Sequence, residues 1–251
     1  MRIDLNADMG ESFGAWKMGN DGALLQIVTS ANVACGFHAG DPNVMGATMA
    51  LAVRQGVGIG AHPGFADLQG FGRRRMRLSA TELGNMVAYQ LGAAQGIARR
   101  AGGQVRHLKL HGALSNIASE VPEVAHACFE AALTLDPEII LVVLAATPME
   151  AAARALGARV ACEIFADRAY NDDATLLDRN RPGAVLHDPA AAGPRIAAML
   201  RAGAIIAASG RHIPCAIDTV CVHGDSPEAV AMAGAIRAHL SGAGIALRRF
   251  G

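Results

Sequence analysis

The chain has 251 residues, of which 52% are hydrophobic, and it carries 22 basic and 22 acidic side chains. That length suits one barrel-sized domain or two small ones, with a large core either way, and the apolar fraction excludes a disordered chain. The balanced charge leaves no global field to gather nucleic acid or an anionic membrane surface.

In chain order, Arg2 to Asn6 alternates as a first strand and runs into a polar loop holding Asp8 and Glu11. A short helix is expected over Asp21 to Thr29. Asn32 to Cys35 reads as a short buried strand that turns polar at Gly36-Phe37-His38-Ala39-Gly40. Asp41 suits the N-cap and Pro42 the first position of the next helix, which ends at Gly56. Val57 to Ala61 is a third strand, delivering His62-Pro63-Gly64 and then a polar loop, Phe65 to Arg77, with Asp67 and Arg73-Arg74-Arg75. Ser79 to Glu82 has the form of a capping box and starts a long helix that stops at Gly102-Gly103.

Val105 to Leu110 is a fourth strand containing Lys109 and ending at His111-Gly112, and short helices fill Ala113 to Leu135. Glu138 to Ala145 is a fifth, continuously apolar strand, as a parallel sheet buried on both faces requires. Arg159 to Phe165 is a sixth, delivering Asp167-Arg168. A helix over Pro189 to Gly203 precedes a small hairpin, and Ile217 to Val222 is a seventh strand ending at His223-Gly224-Asp225. Ser226-Pro227 opens the last long helix, and Gly244 to Arg248 forms a terminal strand.

No linker or low-complexity run divides the chain, so residues 1–251 are expected to form one domain. Alternating strands and helices, with a polar group after nearly every strand, predict a parallel seven-stranded (β/α) barrel of α/β class with its site at the strand C-termini. An open doubly wound sheet is the alternative, but it gathers ligand groups at one switch point. The five cysteines include no C-x-x-C pair, and Cys35, Cys162, Cys215 and Cys221, which lie in apolar runs, are expected to be buried thiols in a reducing cytoplasm. No signal peptide is expected, because Asp4 and Asp8 interrupt the first apolar residues.

A lone histidine is more often structural than chemical. Four of them, His38, His62, His111 and His223, stand at strand exits beside glycine or proline, and that repetition points to a shared site. Asp8 and Glu11 join them as candidate acid or base groups. Asp41, Arg73, Lys109, Asp167, Arg168 and Asp225 are candidates for holding substrate. Several histidines with a carboxylate also suit zinc or iron, but no H-E-x-x-H is present, so no tightly bound transition metal is expected. There is no P-loop and no dinucleotide fingerprint. His107 is left open between an inward position and packing.

Six ordered stretches, DLNADMGESFG from Asp4, ANVACGFHAGDP from Ala31, GAHPGFADLQGFGRR from Gly60, LKLHGALSN from Leu108, EIFADRAY from Glu163 and DTVCVHGD from Asp218, resemble the LamB/YcsF family across the whole chain. Ala7, Leu110 and Ser115 depart from residues common in that family without removing an ionisable group. The resemblance implies a seven-stranded barrel like that of polysaccharide deacetylases. It also implies ATP-dependent opening of 5-oxoproline (pyroglutamate) to L-glutamate, with ATP carried as its magnesium complex and the work shared with 5-oxoprolinase subunits B and C. A metal-dependent carbohydrate deacetylase and a non-catalytic scaffold are the rival expectations.

Overall fold

In the computed structural model, which describes residues 1–223 and 228–250, the opening strand β1 (Arg2–Met9) carries two chemistries. Ile3, Leu5, Ala7 and Met9 join the apolar core, while Asp4, Asn6 and Asp8 are buried among polar side chains of other strands. Successive side chains on a strand point to opposite faces. The alternation expected for Arg2 to Asn6 continues three residues further, which puts Asp8 on the strand itself. Gly10, at φ +69°, ends it.

β2 (Ser30–Ala34), β3 (Gly58–His62), β4 (Val105–Lys109), β5 (Ile140–Leu144) and β6 (Arg159–Phe165) follow in parallel register. β7 (Ala204–Ile206) and β8 (His212–Pro214) form the expected antiparallel hairpin. β9 (Thr219–Val222) pairs with both β6 and β1, which closes a parallel barrel of seven strands. β10 (Ala246–Leu247) adds to β1 on the outside.

The helices are α1 (Asp21–Leu24), α2 (Pro42–Gln55), α3 (Ala80–Arg100), α4 (Gly112–Glu120), α5 (Pro122–Leu135), α6 (Pro148–Ala155), α7 (Pro189–Ala202) and α8 (Ala229–Gly242). Four start on proline, where the missing N–H costs no helix bond. Ser79 and Glu82 make the expected reciprocal capping box on α3. α1 is shorter than expected, because Thr29 turns back to hydrogen-bond Asp4 and Leu5. The Ser226-Pro227 helix start lies outside the described residues. None of the described helices is long and apolar enough to cross a membrane.

The apolar core lies mainly between the barrel and its helices, where α3 packs on α5 and α7 on α8. The barrel interior is polar. Asp4 accepts from Ser30, Thr29 and Thr219, and Asn6 donates to Glu163 and Thr219 at 3.0 and 2.6 Å. Asn32 donates to Asn6 and Asp8 at 2.7 and 2.8 Å, and its own oxygen meets His107 Nε2 at 2.8 Å. His107 therefore points inward. Gly60 is its register partner on the neighbouring strand β3, and a Cβ there would collide with the imidazole.

Candidate active site

The polar interior continues to the C-terminal mouth of the barrel. β1 and β4 lift Asp8 and Lys109 to its floor, where the ammonium is 2.9 Å from Asp8 Oδ1 and 3.0 Å from Glu163 Oε1. Lys109 also donates to Cys221 Sγ at 2.9 Å. Its three protons are thus all engaged within the barrel. It serves as the counter-charge beneath Asp8 while still lining the cavity where it was expected to help hold substrate. Burial works to raise the Asp8 carboxyl, but His62 and Lys109 outweigh it and hold it well below the usual carboxylate range. Burial raises Glu163, with Lys109 offsetting only part.

Three histidines gather beside Asp8. His62 Nε2 is 3.4 Å from Asp8 Oδ2 and 3.0 Å from His111 Nδ1. His62 donates its Nδ1 proton to the Lys109 carbonyl at 2.7 Å, and His111 donates its Nε2 proton to the Phe71 carbonyl at 2.8 Å. Phe71 holds that carbonyl in place from a left-handed backbone, φ 54°, a conformation costly for an aromatic residue. His38 stacks on His111 with ring centres 3.6 Å apart, and its Nε2 is 3.7 Å from Glu11 Oε1. Glu11 Oε1 is also 3.9 Å from His111 Nδ1. Burial, reinforced by the neighbouring imidazoles, pushes His38 and His111 well below the ordinary histidine range.

The loop from Pro63 to Arg74 locks this group. His111 donates its backbone N–H to Pro63, and Ala113 donates to Gly72. Gly72 has φ +62°, and a Cβ there would lie 2.7 Å from His38 Cβ and 2.8 Å from His111 Cδ2. No residue but glycine fits both the backbone and the space.

Asp8, His62, Lys109, His111 and His223 line one cavity of about 740 Å³, with buried Arg168 in its wall and Arg73, Arg75, Arg179 and Arg181 around it. The segment from Asn171 to Arg181, after β6, forms one wall. His38 is fully buried behind His111, and Glu11 is buried beside it, so neither stands on an open rim. His223 donates its Nδ1 proton to Asp167 at 2.7 Å, and its Nε2 accepts from Arg179 at 3.3 Å. Burial works to raise Asp167, but His223 and Arg179 outweigh it and lower the carboxyl. Arg73 lies 4.8 Å over the Phe71 ring.

Two candidates sit differently from the expectation. Asp41 accepts from Asn43 and Val44 as the α2 N-cap and from Gly14 across the loop, so its oxygens hold backbone and it does not line the cavity. Arg168 is buried, and it donates to the carbonyls of Leu177 and Ala184. It braces the cavity wall, and burial lowers its guanidinium to about 10. Asp225 lies outside the described residues. Sequence reasoning missed Asn6, Asn32, Glu163 and Cys221 as parts of the network. A readable signal was the period-two spacing of His107 and Lys109, which places both on one face of β4, with His111 next in the same spacing just beyond its end.

The LamB/YcsF family description matches residues 3–251. The chain belongs to the LamB/YcsF family. A relative in Ruegeria pomeroyi, named as the A subunit of 5-oxoprolinase, is 62% identical over 249 residues, which span 99% of this chain and 98% of that one. The crystal structure of a lactam utilization protein from Thermus thermophilus is 42% identical, with a TM-score of 0.94 and coverage of 100% of both chains. The catalytic domain of a peptidoglycan N-acetylglucosamine deacetylase from Eubacterium rectale overlaps at a TM-score of 0.53 and 10% identity, covering 99% of this chain and 88% of that one. That likeness is one of fold alone. This LamB/YcsF chain has the closed seven-stranded barrel that its motifs implied.

Proposed function

We propose that the chain works as the A subunit of a 5-oxoprolinase, an ATP-dependent hydrolase that opens 5-oxo-L-proline to L-glutamate, ADP and phosphate together with subunits B and C. The observation that carries this reading is the Asp8 carboxylate, kept charged by Lys109 and 3.4 Å from His62, on the floor of a cavity rimmed by arginines. The 62% identity to a relative named for that subunit supports it. We place the assembly in the cytoplasm, where ATP is available and free cysteines stay reduced.

A lactam is a resonance-stabilised amide, and its five-membered ring recloses readily. Transfer of the ATP γ-phosphoryl group to the lactam oxygen releases ADP and leaves an electrophilic ring carbon. Water adds to that carbon and gives up a proton to the Asp8–His62 pair. The ring C–N bond then breaks, the nitrogen takes a proton from the same pair, and the ring opens to an acyl phosphate. A second water releases phosphate and completes the new carboxylate. The rim arginines Arg73, Arg179 and Arg181 face the charge of the phosphorylated intermediate.

With no P-loop in the sequence, we assign ring opening to this chain and phosphoryl transfer from magnesium-bound ATP to the partners. The test is parallel measurement of ADP and glutamate by the full assembly. Asp8→Asn should cut glutamate formation roughly 10²–10⁴-fold while ADP falls less. Unchanged glutamate output removes Asp8 from the mechanism, and an equal fall in both products moves phosphoryl transfer onto this chain. Acetylated-sugar hydrolysis by the chain alone, without ATP, would favour the deacetylase reading instead.

A further inference from the structure

We infer that Glu11, His38, His62 and His111 form a binding site for one divalent first-row transition cation of the zinc type. One donor atom from each of the four residues lies within 4.8 Å of all the others, and all four residues are buried. His62 Nε2 lies 3.0 Å from His111 Nδ1, His38 Nε2 lies 3.7 Å from Glu11 Oε1, and His111 Nδ1 lies 3.9 Å from the same oxygen. Donors about 2.1 Å from one ion are about 3.4 Å apart in a tetrahedral site, so the wider pairs close on binding, and the near-parallel rings of His38 and His111, 3.6 Å apart, turn so that both lone pairs meet the ion. This site meets the lactam-opening reading at one atom: with the ion bound, the His62 Nε2 lone pair holds the metal, and Asp8 alone is left to take the proton from water.

Hydrogen-bond direction carries the argument. A carbonyl only accepts, so Nδ1 of His62 and Nε2 of His111 are both N–H groups, fixed by Lys109 and Phe71. The two remaining nitrogens then face each other at 3.0 Å as lone pairs, an arrangement that repels unless a cation lies between or beside them. Donation of the remote ring nitrogen to a backbone carbonyl is how metal-bound histidines are oriented. On His111 that carbonyl comes from Phe71, whose left-handed backbone is strained to supply it.

His38 gives an independent observation. It is fully buried, and neither ring nitrogen has a hydrogen-bond partner among the described residues. Both nitrogens of one imidazole are rarely left so. Its Nε2 lies on the Glu11 side of the cluster, where a cation would satisfy it. Glu11 supplies one negative charge to the ion directly, and Asp8, 3.4 Å from His62 Nε2, lies beside the cluster with its charge shared with Lys109. Three nitrogens and one oxygen suit zinc, cobalt or iron, whereas magnesium and calcium require oxygen donors. His62 and His111 also line the cavity, which brings the ion to its wall. The expectation of no bound transition metal arose because these ligands follow three different strands and β1, with no contiguous motif to show them.

The experiment uses the full chain stripped with a chelator and titrated with cobalt(II) alone, read by visible ligand-field absorption, and with zinc(II) alone, read by calorimetry. The expected result is one equivalent bound with a Kd below about 1 µM, and zinc displacing cobalt one for one. His38→Ala and His111→Ala should each weaken binding by more than the roughly 10–100-fold that loss of an outer-shell partner costs, while the exposed-histidine variant His126→Ala leaves it unchanged. Circular dichroism checks folding, with His38→Gln and His111→Gln replacing any alanine variant that fails to fold. Failure of the wild type to bind either metal overturns the proposal and leaves a shared proton between His62 and His111. Binding that survives in the His38 and His111 variants also overturns it.

Discussion

The Lys109 ammonium lies 2.9 Å from the Asp8 carboxylate, with side-chain exposures of 4% and 6%. A pair so buried is held by mutual need, since either charge alone inside the barrel is heavily penalised. Lys109→Met should therefore destabilise the fold by about 3–5 kcal/mol, because it leaves Asp8 and Glu163 without their cation. Adding Glu163→Gln should recover part of that loss. Urea unfolding of the single and double variants checks both. Additive losses would mean that the two residues do not interact.

Gly72→Ala tests how far the histidine group depends on its loop. The new Cβ would meet His38 and His111 from a left-handed backbone. A stability loss of roughly 1–3 kcal/mol is expected from the overpacking, with turnover falling further as the rings shift. Gly14, at φ +53°, has nothing within 4 Å of a built Cβ, so Gly14→Ala isolates the backbone strain. Its cost should stay near 1 kcal/mol, with turnover unchanged. Thermal unfolding and glutamate production, measured on both variants, separate the two effects.

The Asp167–His223 pair predicts an acid limb. The folded Asp167 carboxyl is lowered from 3.8, so the unfolded chain binds its proton first as pH falls. The stabilisation it brings is complete above the unfolded value and is lost as pH falls through the folded one. The stability gap between wild type and Asp167→Asn should thus hold from about pH 7 down to about pH 5, then shrink below about pH 4. Urea midpoints across that range measure it. A gap that widens on acidification would reverse the assigned direction.

What was legible in the sequence was the grammar of strand ends. His38, His62, His111 and His223 each follow an apolar strand, and in a parallel barrel all such exits share one mouth. What was not legible depended on register and closure. Glu163 reads as one charge in an apolar strand until β6 and β1 meet across β9 and bring it to Asn6. Asp41 looked equally suited to a ligand and to a helix start, and only the Gly14 N–H shows why both oxygens are occupied. Lys109 lies beside His111 in sequence, but its three acceptors come from β1, β6 and β9. No local pattern displays a cross-barrel partner.

The polar barrel interior has a kinetic consequence. Its hydrogen bonds join residues far apart along the chain, Asn6 to Glu163 across 157 positions and Asp4 to Thr219 across 215. Closing such long loops costs entropy before the contacts repay it, so these bonds are expected to form after the rate-limiting step. Asn6→Ala or Thr219→Val should consequently leave the refolding rate nearly unchanged in stopped-flow measurements while unfolding speeds up by most of the lost stability. The interior then acts as a latch against escape from the folded state, and resistance to slow inactivation is set there, while the speed of assembly is set by the apolar layer outside.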